Sequence, residues 1–295
     1  MSQLGLAYRR IPILAIGRDV YLDSSLQISQ LDTVPHSVQP SLSSDPHTPD
    51  QQAVQWLISR YVCKVAFRTA STLLPLDHGF LTDPIFVADR AKLLGFDFRS
   101  SVVQRQPAAT SEILATLELL ETTLLTDGRK WLLKTEKPTT VDIEAIWPIA
   151  WLDEIENALP TQFFGSDRFP LVYGWLERFK VVVKKAHESL GHIEEVSGAN
   201  ATQSIHNAPS GATQQQTTVD DGDPIVLSKG LKRGQQVSIW TNDVPSQSHK
   251  DSGKLLGFDR HEIVIQVQKG DATFQLHAPS AGFNIEVLPT AQAQL

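Results

Sequence analysis

Ile11-Pro12-Ile13-Leu14, then Gly17-Arg18-Asp19-Val20-Tyr21-Leu22, then Asp23-Ser24, form the stretch on which the fold turns. An apolar run carrying an X-Pro step leads into a turn at Gly17-Arg18-Asp19. A second apolar run follows, and an acidic-Ser pair then opens a helix. The order predicts a β-hairpin followed by a helix. Taken by itself, Pro12 is compatible with an ordinary strand-edge proline. Asp23 and Ser24 read equally well as an N-cap and as part of a ligand site, because free N–H groups and the helix dipole favour a carboxylate there.

Downstream, the stretch from Leu31 to Asp50 is rich in Pro, Ser, Asp and His and reads as a linker, placed at 35–48. A helical pattern begins at Thr48-Pro49, with Val54, Leu57, Ile58, Tyr61, Val62 and Val65 predicted to form one buried stripe. A second helix is expected over Pro84 to Leu94, closed by Gly95, and a third over Thr110 to Thr126, closed by Asp127-Gly128. Thr139 to Asp142 has capping-box spacing, although Asp is a shorter partner than Glu or Gln, and a strongly apolar helix follows to Trp151. The next helix runs from Phe169 to His187 with Trp175 and Phe179 on one face.

After Gly191 the composition shifts. Ser197 to Thr218 holds a single large aliphatic, Ile205, so 191–222 is expected to be a disordered linker. Beyond Asp223 the rhythm becomes period two: Val237 and Ile239, Leu255, Ile263 to Val267, Phe274 and Leu276, Phe283 to Val287. Turn residues separate these runs, which predicts a small all-β barrel or roll over 223–290.

The 295 residues suffice for two or three domains, and a 41% hydrophobic fraction supports buried cores. A net charge of -7, with no stretch that concentrates Lys and Arg, argues against a nucleic-acid partner. The β region is charge-balanced at seven basic and seven acidic residues from 222 to 295, so it does not read as an electrostatic module either. One cysteine excludes an internal disulfide framework. That residue, Cys63, reads as a small core side chain. The histidines show no metal-ligand spacing, and His261 and His277 fall at the edges of predicted strands. No signal sequence or spanning segment is evident, so a cytoplasmic protein with no membrane partner is the expectation.

The segment from Ile11-Pro12 to Asp23-Ser24 resembles the cis-proline loop, third and fourth strands and third helix of the thioredoxin-like domain of glutathione transferases. Lys137-Pro138-Thr139-Thr140-Val141-Asp142-Ile143 is similar to the start of the buried helix in that family's all-helical C-terminal domain. The resemblance implies an α+β multi-domain chain: a partial thioredoxin-like element at 1–34, a helical domain at 49–190 and the small β domain. It further implies glutathione as co-substrate at Ile11, Pro12, Asp23 and Ser24, a small electrophile as second substrate, and the family habit of dimerisation. Pro279-Ser280-Ala281-Gly282-Phe283 resembles a closing element of fungal glutathione-transferase-like proteins, a group tied to secondary metabolism, though less closely.

In the family a strand, a helix and a strand bearing the thiol-activating Tyr, Ser or Cys precede the cis-proline loop. Here ten residues do. Tyr8 stands too close to Pro12 for that role and is expected, with Arg9, to line the approach to the loop or to pack. No catalytic residue is therefore named. Two readings stand: a truncated form of an active enzyme, which is preferred, or a shortened protein retaining part of the site. The rival function is a non-enzymatic interaction or scaffold protein.

Overall fold

The structure, a computed structural model, describes residues 2–33, 48–209, 217–244, 249–269 and 272–289. In chain order the described residues form β1 (Leu14–Ile16), β2 (Asp19–Tyr21), α1 (Ser24–Thr33), α2 (Pro49–Tyr61), α3 (Phe67–Thr72), α4 (Gly79–Thr82), α5 (Pro84–Leu94) and α6 (Phe98–Leu119). They continue with α7 (Thr140–Asp153), α8 (Pro170–Ser189), α9 (Gly198–Asn207), α10 (Pro224–Lys229) and the strands β3 (Gln236–Thr241), β4 (Asp251–Phe258), β5 (Glu262–Lys269), β6 (Ala272–Pro279) and β7 (Phe283–Val287). The chain divides into two compact units, one of Met1–Val34 with Glu194–Leu295 and one of Pro35–Ile193.

The first unit is built on one seven-stranded sheet in the order β1-β2-β6-β5-β4-β3-β7. The predicted hairpin is present: β1 pairs antiparallel with β2 across Gly17, whose φ of 62° supplies the left-handed turn. The separate N-terminal and C-terminal domains expected from sequence are not. β2 runs parallel to β6, with Val20 opposite Leu276 and Tyr21 opposite His277. An isolated hairpin exposes unpaired edges and is marginal in water, and pairing with β6 removes one edge. Val20 and Leu22 share one fully buried core with Leu255, Ile265 and Leu276. The period-two runs predicted from Val237 onward all fall on strands. Their hydrogen-bonded order is linear, ending at β1 and β7, rather than the closed ring of a barrel.

The expected disordered linker also needs correction. Gly198–Asn207 is helical, capped by the Ser197 side chain on the Asn200 N–H at 3.2 Å, and its one large aliphatic, Ile205, is buried in the sheet core. A single well-placed apolar anchor and a cap are enough once a core is available to receive them. Residues 210–216 of the linker, and 35–47 of the earlier one, lie outside the described residues.

The second unit is helical. Thr48 and Gln51 form a reciprocal capping box at the start of α2, with Pro49 in the first turn. The stripe predicted there is only partly right. Val54 and Ile58 pack on the core and Val62 is buried, but Leu57 is 60% exposed. The third predicted helix is longer than expected, since α6 begins at Phe98 under an Asp97 cap and passes through Pro107. Proline normally ends a helix because it frees the carbonyl four residues back. Here the residue four back is Val103, which is exposed. The Thr139–Asp142 capping box forms as read, and α7 and α8 carry Ile146, Ile149, Leu152, Val172, Trp175 and Leu176 into the core.

Candidate functional site

The four residues read from sequence as a ligand site, Ile11, Pro12, Asp23 and Ser24, lie around one loop-and-helix junction. The Ile11–Pro12 peptide bond is cis. Ile11 is 86% exposed, Pro12 and Ser24 are exposed, and Asp23 is half-buried. Asp23 holds a left-handed backbone, φ 69°, a conformation that Asp adopts more readily than most non-glycine residues. Its carboxylate accepts the Ser25 N–H at 3.1 Å and the Ser25 hydroxyl at 2.6 Å. Its carbonyl accepts the Gln27 N–H at 3.1 Å. Asp23 is thus a helix cap in the sense expected, with the first turn of α1 turned towards the exposed loop.

Gln27, which sequence reading missed, ties the junction together. Its side-chain amide is buried and donates both to the Pro12 carbonyl at 2.9 Å and to the Tyr21 carbonyl at 3.0 Å. One side chain therefore bridges the proline loop, β2 and α1. Nothing in the polar run Ser24-Ser25-Leu26-Gln27 marks it, because its role exists only where the loop and the strand end meet.

The approach to the loop is built from the C-terminal strands. Leu4, Leu6 and Tyr8 alternate into the sheet core, and the Asp251 carboxylate at the start of β4 accepts the Ala7 N–H at 2.6 Å and the Tyr8 N–H at 3.0 Å. Burial pushes the Asp251 carboxyl up from its ordinary value, and the two N–H donors pull it only part of the way back. The Arg10 guanidinium pairs with the Asp243 carboxylate at 2.5 Å. The Tyr8 ring packs on Phe283 of β7 at 6.0 Å between centroids. Burial, assisted by the charge of Asp23, pushes the Tyr8 phenol up to about 12, while Arg10 and the Asp23 backbone amide oppose the rise. Tyr8 is accordingly a protonated phenol at neutral pH. It can donate a hydrogen bond but cannot serve as a base.

A second charged cluster lies where β2 joins β6. His277, expected at a strand edge, is instead within β6 and buried. Its Nδ1 is 3.1 Å from the Glu262 carboxylate, its Nε2 is 3.5 Å from that of Asp19, and its ring stacks on Tyr21 at 4.4 Å. At 3.5 Å the Asp19 contact is an ion-pair separation rather than a well-formed hydrogen bond. Burial pushes the imidazole down, but the two carboxylates together outweigh it and the net direction is up. The backbone reinforces the junction, with the Leu22 N–H donating to the His277 carbonyl at 2.8 Å and the Gln275 N–H to the Arg18 carbonyl at 2.9 Å. Arg18, in the hairpin turn, is partly buried and donates from Nε to the Ala208 carbonyl at 2.6 Å.

In the helical unit, Asp142 is fully buried and its carboxylate accepts from the Leu132 N–H, the Thr139 N–H and hydroxyl, and the Trp175 indole, at 2.8 to 3.1 Å. Burial pushes its carboxyl up, against four donors that favour the charge. Its role is to hold the start of α7. Trp175 is core, whereas Trp147 and Trp151 are partly exposed. The Cys63 side chain lies outside the described residues. Among the described residues no group of three His, Cys, Asp or Glu side chains is placed to hold a metal ion, and no helix is long and apolar enough to cross a membrane.

Comparison with known proteins places the fold. Residues 69–188 match the family described as Domain of unknown function (DUF7962). No curated protein matches the chain. Among solved structures, a GST-like protein from Pseudomonas syringae is similar over 97% of this chain and 84% of its own, with a TM-score of 0.63 at 21% sequence identity. The chain therefore has a fold like that of this GST-like protein.

Proposed function

We propose that this chain is a glutathione transferase-like protein that binds glutathione at the Ile11–Pro12 loop and the start of α1. The observation that carries the reading is the junction itself. An exposed cis-proline loop and an acidic-Ser helix start, separate in sequence, are bridged by Gln27 hydrogen bonds of 2.9 and 3.0 Å. The fit is chemical. The exposed Ile11, beside the Pro12 carbonyl that Gln27 holds, suits the amide groups of a cysteinyl residue. The first turn of α1 with the exposed Ser24 suits a carboxylate, and the Asp23 carboxylate suits an ammonium. Glutathione carries all three groups.

In this reading the second substrate is a small electrophile. The glutathione sulfur forms a bond to carbon as a leaving group departs or a double bond is saturated, and the thiol proton passes to solvent or to the product. Tyr8 packs on Phe283 and its backbone is held by Asp251, and thiolate formation is not assigned to it. A non-enzymatic scaffold is the second reading, favoured by the way residues 4–8 are committed to packing against β4 and β7.

Titration calorimetry of the full chain with glutathione tests the proposal. Binding in the millimolar range or tighter is expected, weakened about tenfold or more in Asp23→Ala, which removes one charge-assisted contact. Absence of heat at millimolar glutathione sinks it. Binding without turnover of a generic arylating electrophile selects the scaffold reading.

A further inference from the structure

The helical unit carries an open groove of about 390 Å³ lined by Phe67, Trp147, Ala150, Trp151, Glu154 and Phe179. Trp147 and Trp151 stand one turn apart on α7, and the Phe67 ring lies 5.6 Å from the first and 6.4 Å from the second, centroid to centroid. Phe67 is 45% exposed, so aromatic surface here is left open to solvent. The volume falls within the range of small-molecule clefts.

Aromatic faces are electron-rich, and the rim adds negative charge. Glu154 is exposed and is the C-cap that follows α7, where the helix dipole is also negative. Among the described residues Glu154 makes no ion pair. The nearby cations are already engaged: Lys180, next to Phe179, pairs with Asp153 at 2.6 Å and Glu177 at 3.0 Å, and Arg68, next to Phe67, has its own partner. An apolar neutral molecule would use the rings and leave the carboxylate idle. A cation with an apolar body satisfies both, because it gains cation–π attraction from the rings and Coulomb attraction from Glu154.

We propose that this groove binds a small organic cation of the alkylammonium or quaternary-ammonium class, its charge held over the Phe67 and Trp rings and beside Glu154. The proposal is independent of the glutathione reading, since its residues all belong to the helical unit.

The test is calorimetric titration of the full chain with benzyltrimethylammonium and with neopentylbenzene, its neutral isostere. The cation is expected to bind saturably and roughly tenfold more tightly than the isostere. Glu154→Gln, an exposed and conservative change, is expected to cut the cation-to-isostere ratio about fivefold, and Phe67→Ala to weaken the cation by a similar factor, with circular dichroism unchanged in both. Absence of saturable cation binding overturns the proposal. So does equal affinity for cation and isostere, or a cation preference that survives both substitutions.

Discussion

His277→Ala tests the unexpected feature of the fold, the fusion of the N-terminal hairpin to the C-terminal sheet. His277 is 3% exposed and Asp19 1%, so removing the imidazole takes a charged partner from the buried Asp19 carboxylate and from Glu262 and removes the ring that stacks on Tyr21. Breaking a buried pair by removing one partner costs about 3–5 kcal/mol, a large share of an ordinary domain's stability. Two units make a single unfolding free energy ill-defined, so the assay is native-state hydrogen exchange read amide by amide. Protection of the Leu22 and Gln275 amides, which donate across the junction, should fall by roughly two to three and a half orders of magnitude. Amides of α6 and α8 should keep theirs. The pH dependence has a definite sign. The folded imidazole titrates above its ordinary value of 6.5, so the stability that it contributes is complete below 6.5 and is lost as pH rises through the raised folded value. After correction for intrinsic exchange, wild-type junction protection should decline with rising pH over that window, and the variant should show no such decline. A loss below tenfold, or an equal loss in the helical unit, would refute the reasoning.

Three further changes have expected outcomes. Asp142→Ala orphans the Leu132 and Thr139 amides and the Trp175 indole, and should destabilise the helical unit by about 3 kcal/mol or more, seen as lost α7 and α8 protection with the sheet unit spared. Asp251→Ala leaves the Ala7 and Tyr8 amides without an acceptor, and should cost about 2–4 kcal/mol and make residues 4–10 susceptible to limited proteolysis. Gly253→Ala would set a Cβ 2.3 Å from the Gln266 carbonyl across the β4–β5 pair, and a loss of about 1–3 kcal/mol or more in the sheet unit is expected by thermal melting.

Much of the local structure is legible along the chain. The Gly17 turn and the Asp23-Ser24 pair each specify a backbone conformation through chemistry confined to a few neighbours, and the hairpin and α1 form there. The Thr139–Asp142 box is legible for the same reason, and so are the period-two strands. Errors arise where a local signal is overruled by surroundings. The third helix reads as starting at Thr110 but begins at Phe98, and the polar run around Ile205 reads as disordered but folds on a core that it does not itself supply.

The residues of the candidate site divide in the same way. Pro12, Asp23 and Ser24 declare themselves by spacing, whereas Gln27, Asp251 and Asp243 do not, because each acts on a partner remote in sequence or across a loop: Gln27 on Pro12, Asp251 on Ala7 and Tyr8, Asp243 on Arg10. A hairpin carries in its own residues the turn that makes it, but not the identity of the strand that will cover its edge. Backbone N–H and C=O groups are the same in every strand, so the choice of β6 for β2 rests on which side chains can be buried together. Sequence alone determined that this chain has a hairpin, an acidic helix start after it, and a capped buried helix. Only the tertiary structure decided that Val20 and Leu22 share a core with Leu276, that His277 lies between Asp19 and Glu262, and hence that the two ends of the chain make one sheet.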